Sequence, residues 1–175
     1  SNRNKTVLTP VESYGWFLAK RDDLADEHGT NGGKARTLGV VCRHILETGK
    51  RGLTIYASRN SVTPATVGSV CRTYGIPACV HTAAARGGLS EAFRTAQDYG
   101  VQVVEHSFGR MSVLAARARD QAAADGYLCL GLGLDFPPAI DENAMQTINL
   151  PRDIARLVTA VGSGHMLEGI LKGMT

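Results

Sequence analysis

The chain has 175 residues, 43% of them apolar and 20% charged, a balance that excludes disordered and fibrous classes and suits a domain with an ordinary core. No apolar run approaches the about 20 residues that span a bilayer, so a transmembrane segment is excluded and a cytoplasmic location is expected. A net charge of +3 permits anionic ligands, yet no lysine or arginine block and no basic-aromatic interleaving indicates nucleic-acid binding.

In chain order, residues 16–20 (Trp-Phe-Leu-Ala-Lys) read as a strand. A helix begins near Lys34, with Leu38, Val41, Cys42, Ile45 and Leu46 on one face. From Leu53 onward, short β-prone runs alternate with helix-like stretches, which is the pattern of βαβ units and a parallel sheet. Strands are expected over 53–57, 78–81, 101–105 and 127–130. One intervening helix runs from Pro64, well placed in a first turn, to Tyr74, where Gly75 ends it. A second follows an N-cap at Ser90 and runs through Tyr99 to Gly100, and an alanine-rich third spans Met111 to Asp125. Residues 131–151, with Pro137-Pro138, read as irregular. Residues 156–161 read as a strand, followed by Gly162-Ser163-Gly164 and a helix through about Lys172. Right-handed crossovers would lay these elements into an α/β fold, an open parallel sheet with helices on both faces. Residues 53–130 are expected to form a small parallel lobe, with 3–52 and 131–175 as a partial second lobe or merged with it into one compact unit.

Cys42, Cys71, Cys79 and Cys129 stand far apart, mostly among apolar neighbours, and no pair has zinc-ligand spacing. Buried thiols in a reducing compartment are expected. His28, His44, His81, His106 and His165 also lack ligand spacing, so no metal site is expected.

Three stretches offer chemistry. Asn31-Gly32-Gly33-Lys34-Ala35-Arg36 follows a Lys20-Arg21-Asp22-Asp23-Leu24 loop and opens a helix. The positive end of the helix dipole there favours an uncharged, nucleophilic amine on Lys34, and the glycines let a flat ligand approach; a solvated surface lysine is the plainer reading. Val161-Gly162-Ser163-Gly164-His165-Met166 passes from a strand end through a glycine turn into a helix, a natural cradle of backbone N–H groups for phosphate, or simply a tight connection. Ser58-Arg59-Asn60-Ser61-Val62-Thr63-Pro64 lies at the carboxyl end of the first parallel strand, where ligands bind in open α/β sheets and where helix caps also sit.

Together, in this order, the three stretches resemble fold-type II pyridoxal-phosphate enzymes, the tryptophan-synthase β-like group, and within it the aminocyclopropane-carboxylate deaminase and D-cysteine desulfhydrase branch. The resemblance runs from about Phe17 to Gly173, and its most specific element is Gly32-Gly33-Lys34-Ala35-Arg36. It implies a deaminase or lyase acting on a small amino acid or amine, with pyridoxal 5′-phosphate as cofactor. Lys34 would bind the cofactor and shuttle protons at the substrate carbon. Asn60 would bond the ring hydroxyl, Ser58 and Ser61 would lie near the substrate carboxylate, and Gly162, Ser163, Gly164 and His165 would hold the phosphate.

The sequence departs from that pattern at Ser61, where histidine or threonine is usual, and at His165-Met166, where Gly-Thr usually continues the turn. It is also about half the usual length, implying a truncated second lobe. A phage-like minimal relative, a fragment, or a domain completed by another chain would each account for this. Uncovered edges and apolar faces lead to the expectation of a homo-oligomer. Two other readings stand beside the enzyme: a non-catalytic binding or scaffold module of the same fold, and another phosphate-binding α/β enzyme such as a phosphoribosyltransferase-like protein.

Overall fold

The computed structural model describes residues 7–25, 30–84, 86–107 and 109–175. It opens on a short antiparallel hairpin, β1 (Val11–Ser13) paired with β2 (Leu18–Lys20). The strand expected over 16–20 is therefore only three residues long. Trp16 is 92% exposed beside Gly15, whose φ of 80° reverses the chain. After a single 3-10 turn (Asp22–Leu24) comes α1 (Gly33–Thr48). It buries Ala35, Leu38, Val41, Cys42 and Ile45 along one stripe and stops at Gly49, a left-handed C-cap. Leu46, expected on that stripe, turns out to solvent.

The central unit follows the expected alternation: β3 (Leu53–Tyr56), α2 (Thr63–Tyr74), β4 (Ala78–Ala83), α3 (Glu91–Asp98), β5 (Gln102–His106), α4 (Met111–Asp125) and β6 (Leu128–Leu130). All four strands are parallel, in the order β5-β4-β3-β6. The chain steps outward from β3 to β5 and then crosses back to the far side of β3, so right-handed connections place α2 and α3 on one face and α4 on the other. Strand alternation sorts the side chains to match. Leu53, Ile55, Ala78 and Val80 join Leu38, Val41, Val67 and Val70 in the main core. Each fully buried valine, leucine or isoleucine among them contributes about 1.5–3 kcal/mol of transfer free energy. On the other face Leu114, Ala115, Ala118 and Ala122 of α4 are buried over Thr54, Cys79 and His81, a more polar strand surface.

Two expectations fail downstream. The proline pair does not break structure; it starts α5 (Pro138–Met145), because a proline in the first turn lacks only an N–H that would be unpaired anyway. Residues 156–161 form no strand: Val158 is 87% exposed, and no neighbouring strand among the described residues gives this β-branched run a ladder to join. The last helix, α6 (His165–Met174), packs on α5, which packs on α1. Gly169 and Gly173, one turn apart, let α6 come in close. A Cβ at Gly169 would stand 2.5 Å from Asn143 Cβ and 3.0 Å from the Ile140 carbonyl oxygen. Among the described residues no helix is long and apolar enough to cross a membrane.

Candidate functional site

The strand order reverses between β3 and β6, and in an open parallel sheet the crevice outside the carboxyl ends of two such strands is where ligands bind. Two loops border it: residues 57–62 after β3 and residues 131–137 after β6. Each receives one of the elements that the sequence singled out.

Lys34 lies in the first turn of α1, and its Nζ donates to Thr63 Oγ1 at 2.9 Å. Thr63 begins α2, directly after the polar loop, so this bond ties the lysine to the carboxyl end of β3. The residue as a whole is exposed, so the amine is anchored at the rim and not sealed in a core. Within the loop, the Ser61 N–H donates to the Ser58 carbonyl at 2.9 Å, and Ser61 Oγ accepts from the Thr63 N–H at 3.2 Å. The Ser61 hydroxyl thus shapes the entry to α2. Ser58 and Asn60 are exposed. Asn60 and Ser61 also line an open groove of about 410 Å³ running between the starts of α2 and α3, with Val62, Ser90, Glu91 and Thr95.

The glycine turn reaches the second loop. Gly164 is the N-cap of α6, with φ 93°, and the positions a side chain would occupy at Gly162 and Gly164 are open space. Ser163 lies against Gly133, where a Cβ would stand 2.6 Å from Ser163 Oγ, so only glycine permits the approach. Ser163 Oγ is 3.2 Å from His165 Nδ1, and His165 Nε2 is 3.1 Å from Asp135 Oδ1. The starts of α1 and α6 also meet, since a Cβ on Gly33 would overlap the Met166 methyl. The structure therefore joins Lys34 to the 58–63 loop and the 162–165 turn to the 131–135 loop. Gly33 and Met166 link the two halves.

Several partners escaped sequence reasoning because they are remote in the chain. Arg36, 1% exposed, pairs with Asp22 at 3.1 Å, and Asp22 Oδ1 also accepts from Thr9 Oγ1 at 3.0 Å. Arg36, two residues after Lys34, and the first aspartate of the 20–24 loop thus brace the start of α1. Lys20 Nζ donates to the Thr9 carbonyl at 2.8 Å and to Asn149 Oδ1 at 2.7 Å, and burial lowers its pKa. On the α4 side, His81 Nδ1 lies 2.9 Å from His106 Nε2, and Arg117 Nη1 2.7 Å from His106 Nδ1. Burial first, with the neighbouring cations second, pushes both imidazoles below their ordinary range. His28 lies outside the described residues. Cys42, Cys71 and Cys79 are buried, with Cys42 Sγ 3.9 Å from Cys71 Sγ. Among the described residues no group of three or more His, Cys, Asp or Glu side chains is placed to hold a metal ion.

No protein-family profile matches the sequence, and no curated protein matches it either. Solved structures do. A structure of an ACC deaminase homologue superposes with a TM-score of 0.76 at 19% identity, over 89% of this chain and 50% of that one. A pyridoxal 5′-phosphate-dependent aspartate racemase gives 0.64 at 19% identity, over 90% and 46%. Escherichia coli diaminopropionate ammonia lyase in apo form gives 0.60 at 14% identity, over 89% and 49%. The chain spans about half the length of these proteins. Over that half, it has the fold of the tryptophan-synthase-like pyridoxal-phosphate enzymes.

Proposed function

We propose that the chain is a pyridoxal-phosphate-dependent enzyme of the deaminase or lyase type, acting in the cytoplasm on a small amino acid or amine. The observation that carries this reading is that the start of α1 meets both other elements, Lys34 through its bond to Thr63 after the polar loop and Gly33 through its contact with Met166 at the start of α6. The residues fit the cofactor: beside the turn, Gly162 and Gly164 leave the space that a phosphate needs, and the first N–H groups of α6 face an anion favourably. In this reading Gly162, Ser163, Gly164 and His165 hold the phosphate, Asn60 meets the ring hydroxyl, and Ser58 and Ser61 orient the substrate carboxylate. Lys34, steadied by Thr63, binds the cofactor and then moves a proton at the substrate carbon. When bound, the cofactor supplies the electron sink. Residues 53–130 act as the small lobe and 3–52 with 131–175 as a partial cofactor lobe, and a second copy covers apolar surface such as Val158 and Val161.

An absorbance scan after adding pyridoxal phosphate tests this. The expected result is a band at the visible edge, with borohydride fixing the added mass on Lys34, and loss of both in Lys34→Ala. A protein without the band or the adduct refutes the reading.

The exposure of Lys34 favours a second reading, a scaffold of this fold without the chemistry. It predicts thermal melts that do not respond to the cofactor.

A further inference from the structure

We propose that Arg59, Thr82 and Ser90 form a carboxylate-binding pocket at the carboxyl end of β4, a site that needs no bound cofactor. Thr82 is 1% exposed, and its Oγ1 finds no hydrogen-bond partner among the described residues. The buried Oγ of Ser90 finds none among them either. Yet Ser90 is the N-cap of α3, where a serine hydroxyl ordinarily closes onto the first turn, and here it makes no such bond. Both residues line one small cavity, together with Arg59 from the polar loop after β3. Two buried hydroxyls unpaired at one spot cost stability unless something enters to accept from them.

Size, charge and lining decide what enters. The cavity holds about 10 Å³, room for one oxygen-sized group. The Arg59 guanidinium disfavours a cation there, as does the positive end of α3, whose first N–H groups have no acceptor within the helix. An anionic oxygen is favoured, because two hydroxyls and a guanidinium can all donate to it. The rest of the lining is Ala83, Gly88, Leu89 and Phe93, which offers no side-chain donor to the further oxygens of a phosphate or sulfate. A carboxylate meets both demands, seating one oxygen in the cavity and turning its carbon chain outward. Ser90 also borders the groove of about 410 Å³ between α2 and α3, where Val62, Ala65 and Ala92 give such a chain an apolar bed. Glu91 lines that groove and not the cavity, so the oxygen's place is uncontested.

The test is a nuclear magnetic resonance titration of the full chain without cofactor, with propionate as probe. The backbone amides of residues 90–92 should shift along one saturating curve, and inorganic phosphate at the same concentration should leave them unmoved. Arg59→Gln and Thr82→Val should each weaken propionate binding by at least about tenfold, the loss of one charge-assisted bond. Without ligand, Thr82→Val should melt higher than the wild type, because it removes a buried hydroxyl that has no partner. A wild type that binds no propionate overturns the pocket, as does a Thr82→Val protein that binds it equally well. A Thr82→Val protein that melts lower marks a hydroxyl already satisfied, and overturns the pocket too. The source of the carboxylate is read with pyridoxal phosphate added. Turnover that prefers glutamate to glutamine, and loses that preference in Arg59→Gln, assigns the pocket to the far acid group of a substrate. Propionate binding without such a preference assigns it to a free carboxylate. A chain that binds propionate but forms no pyridoxal-phosphate band refutes the cofactor reading alone.

Discussion

Replacing Asp22 with alanine strips the main partner from a buried cation. Arg36 is 1% exposed, and its Nη2 donates to Asp22 Oδ1 at 3.1 Å. Its Nη1 reaches Asn143 Oδ1 only at 3.4 Å, and its Nε finds no partner among the described residues. Removing one member of a buried pair costs about 3–5 kcal/mol, because the remaining charge stays desolvated. The Asp22 side chain is 34% exposed, so water can approach from that side and the lower end applies, about 3 kcal/mol. For a chain of this size that lowers Tm by about 6–12 °C. Urea unfolding followed by circular dichroism should show the loss as a shifted midpoint with an unchanged slope. The double variant Asp22→Ala with Arg36→Met replaces both charges by apolar groups and should recover most of the stability. A single variant within about 0.5 kcal/mol of wild type, or a double variant no better than the single, would falsify the account.

Three further outcomes are expected. His81 and His106 both have lowered pKa values in the fold, so below about pH 6.5 the unfolded chain binds more protons. Stability is therefore present above that pH and drains away as pH falls, by up to about 1.4 kcal/mol per unit for each imidazole, mostly from buried His81. His81→Asn should flatten the Tm profile between about pH 7 and 5, and an unaltered profile would count against the buried pair. Gly169→Ala gains about 1 kcal/mol of helix propensity but forces a methyl into Asn143 and the Ile140 carbonyl, an overlap of about 1–3 kcal/mol. A net loss in urea unfolding is expected, and a stabilised variant contradicts the close packing of α6 on α5. Hydrogen bonding from Cys42 and burial raise the Cys71 thiol, burial pushes Cys79 to about 11, and burial raises Cys129. Native protein should therefore react with a thiol reagent at neutral pH about 100-fold more slowly than urea-unfolded protein. Rapid labelling of the folded chain would argue against these environments.

The central sheet was legible because its signals are local. Residues 53–56 and 78–83 are short runs rich in apolar and β-branched residues, each followed by a helix that stops at or just before a glycine, and both faces are covered. The outer pieces were less legible. The hairpin partner Val11–Ser13 is three residues long, and Pro138 marks a helix start that reads equally as a break. Residues 156–161 have strand composition, but a strand needs a neighbour as well as a propensity. At the candidate site the sequence placed Lys34, the 58–61 loop and the 162–165 turn on loops and helix starts. Their mutual contacts were invisible, because Thr63 for Lys34 and Asp135 for His165 are choices made by tertiary packing.

The way α6 is mounted has a consequence for motion. Among the helices and strands its substantial packing partner is α5, and of its own residues only Gly169 is buried. A segment that packs on one other helix and stands apart from the sheet can open by local fluctuation without disturbing the strands. Its backbone amides should exchange with deuterated solvent far sooner than those of β3 and β4. An anion gripped at the first turn would slow that exchange along α6 while leaving the strands unchanged, which makes the helix a built-in reporter of occupancy.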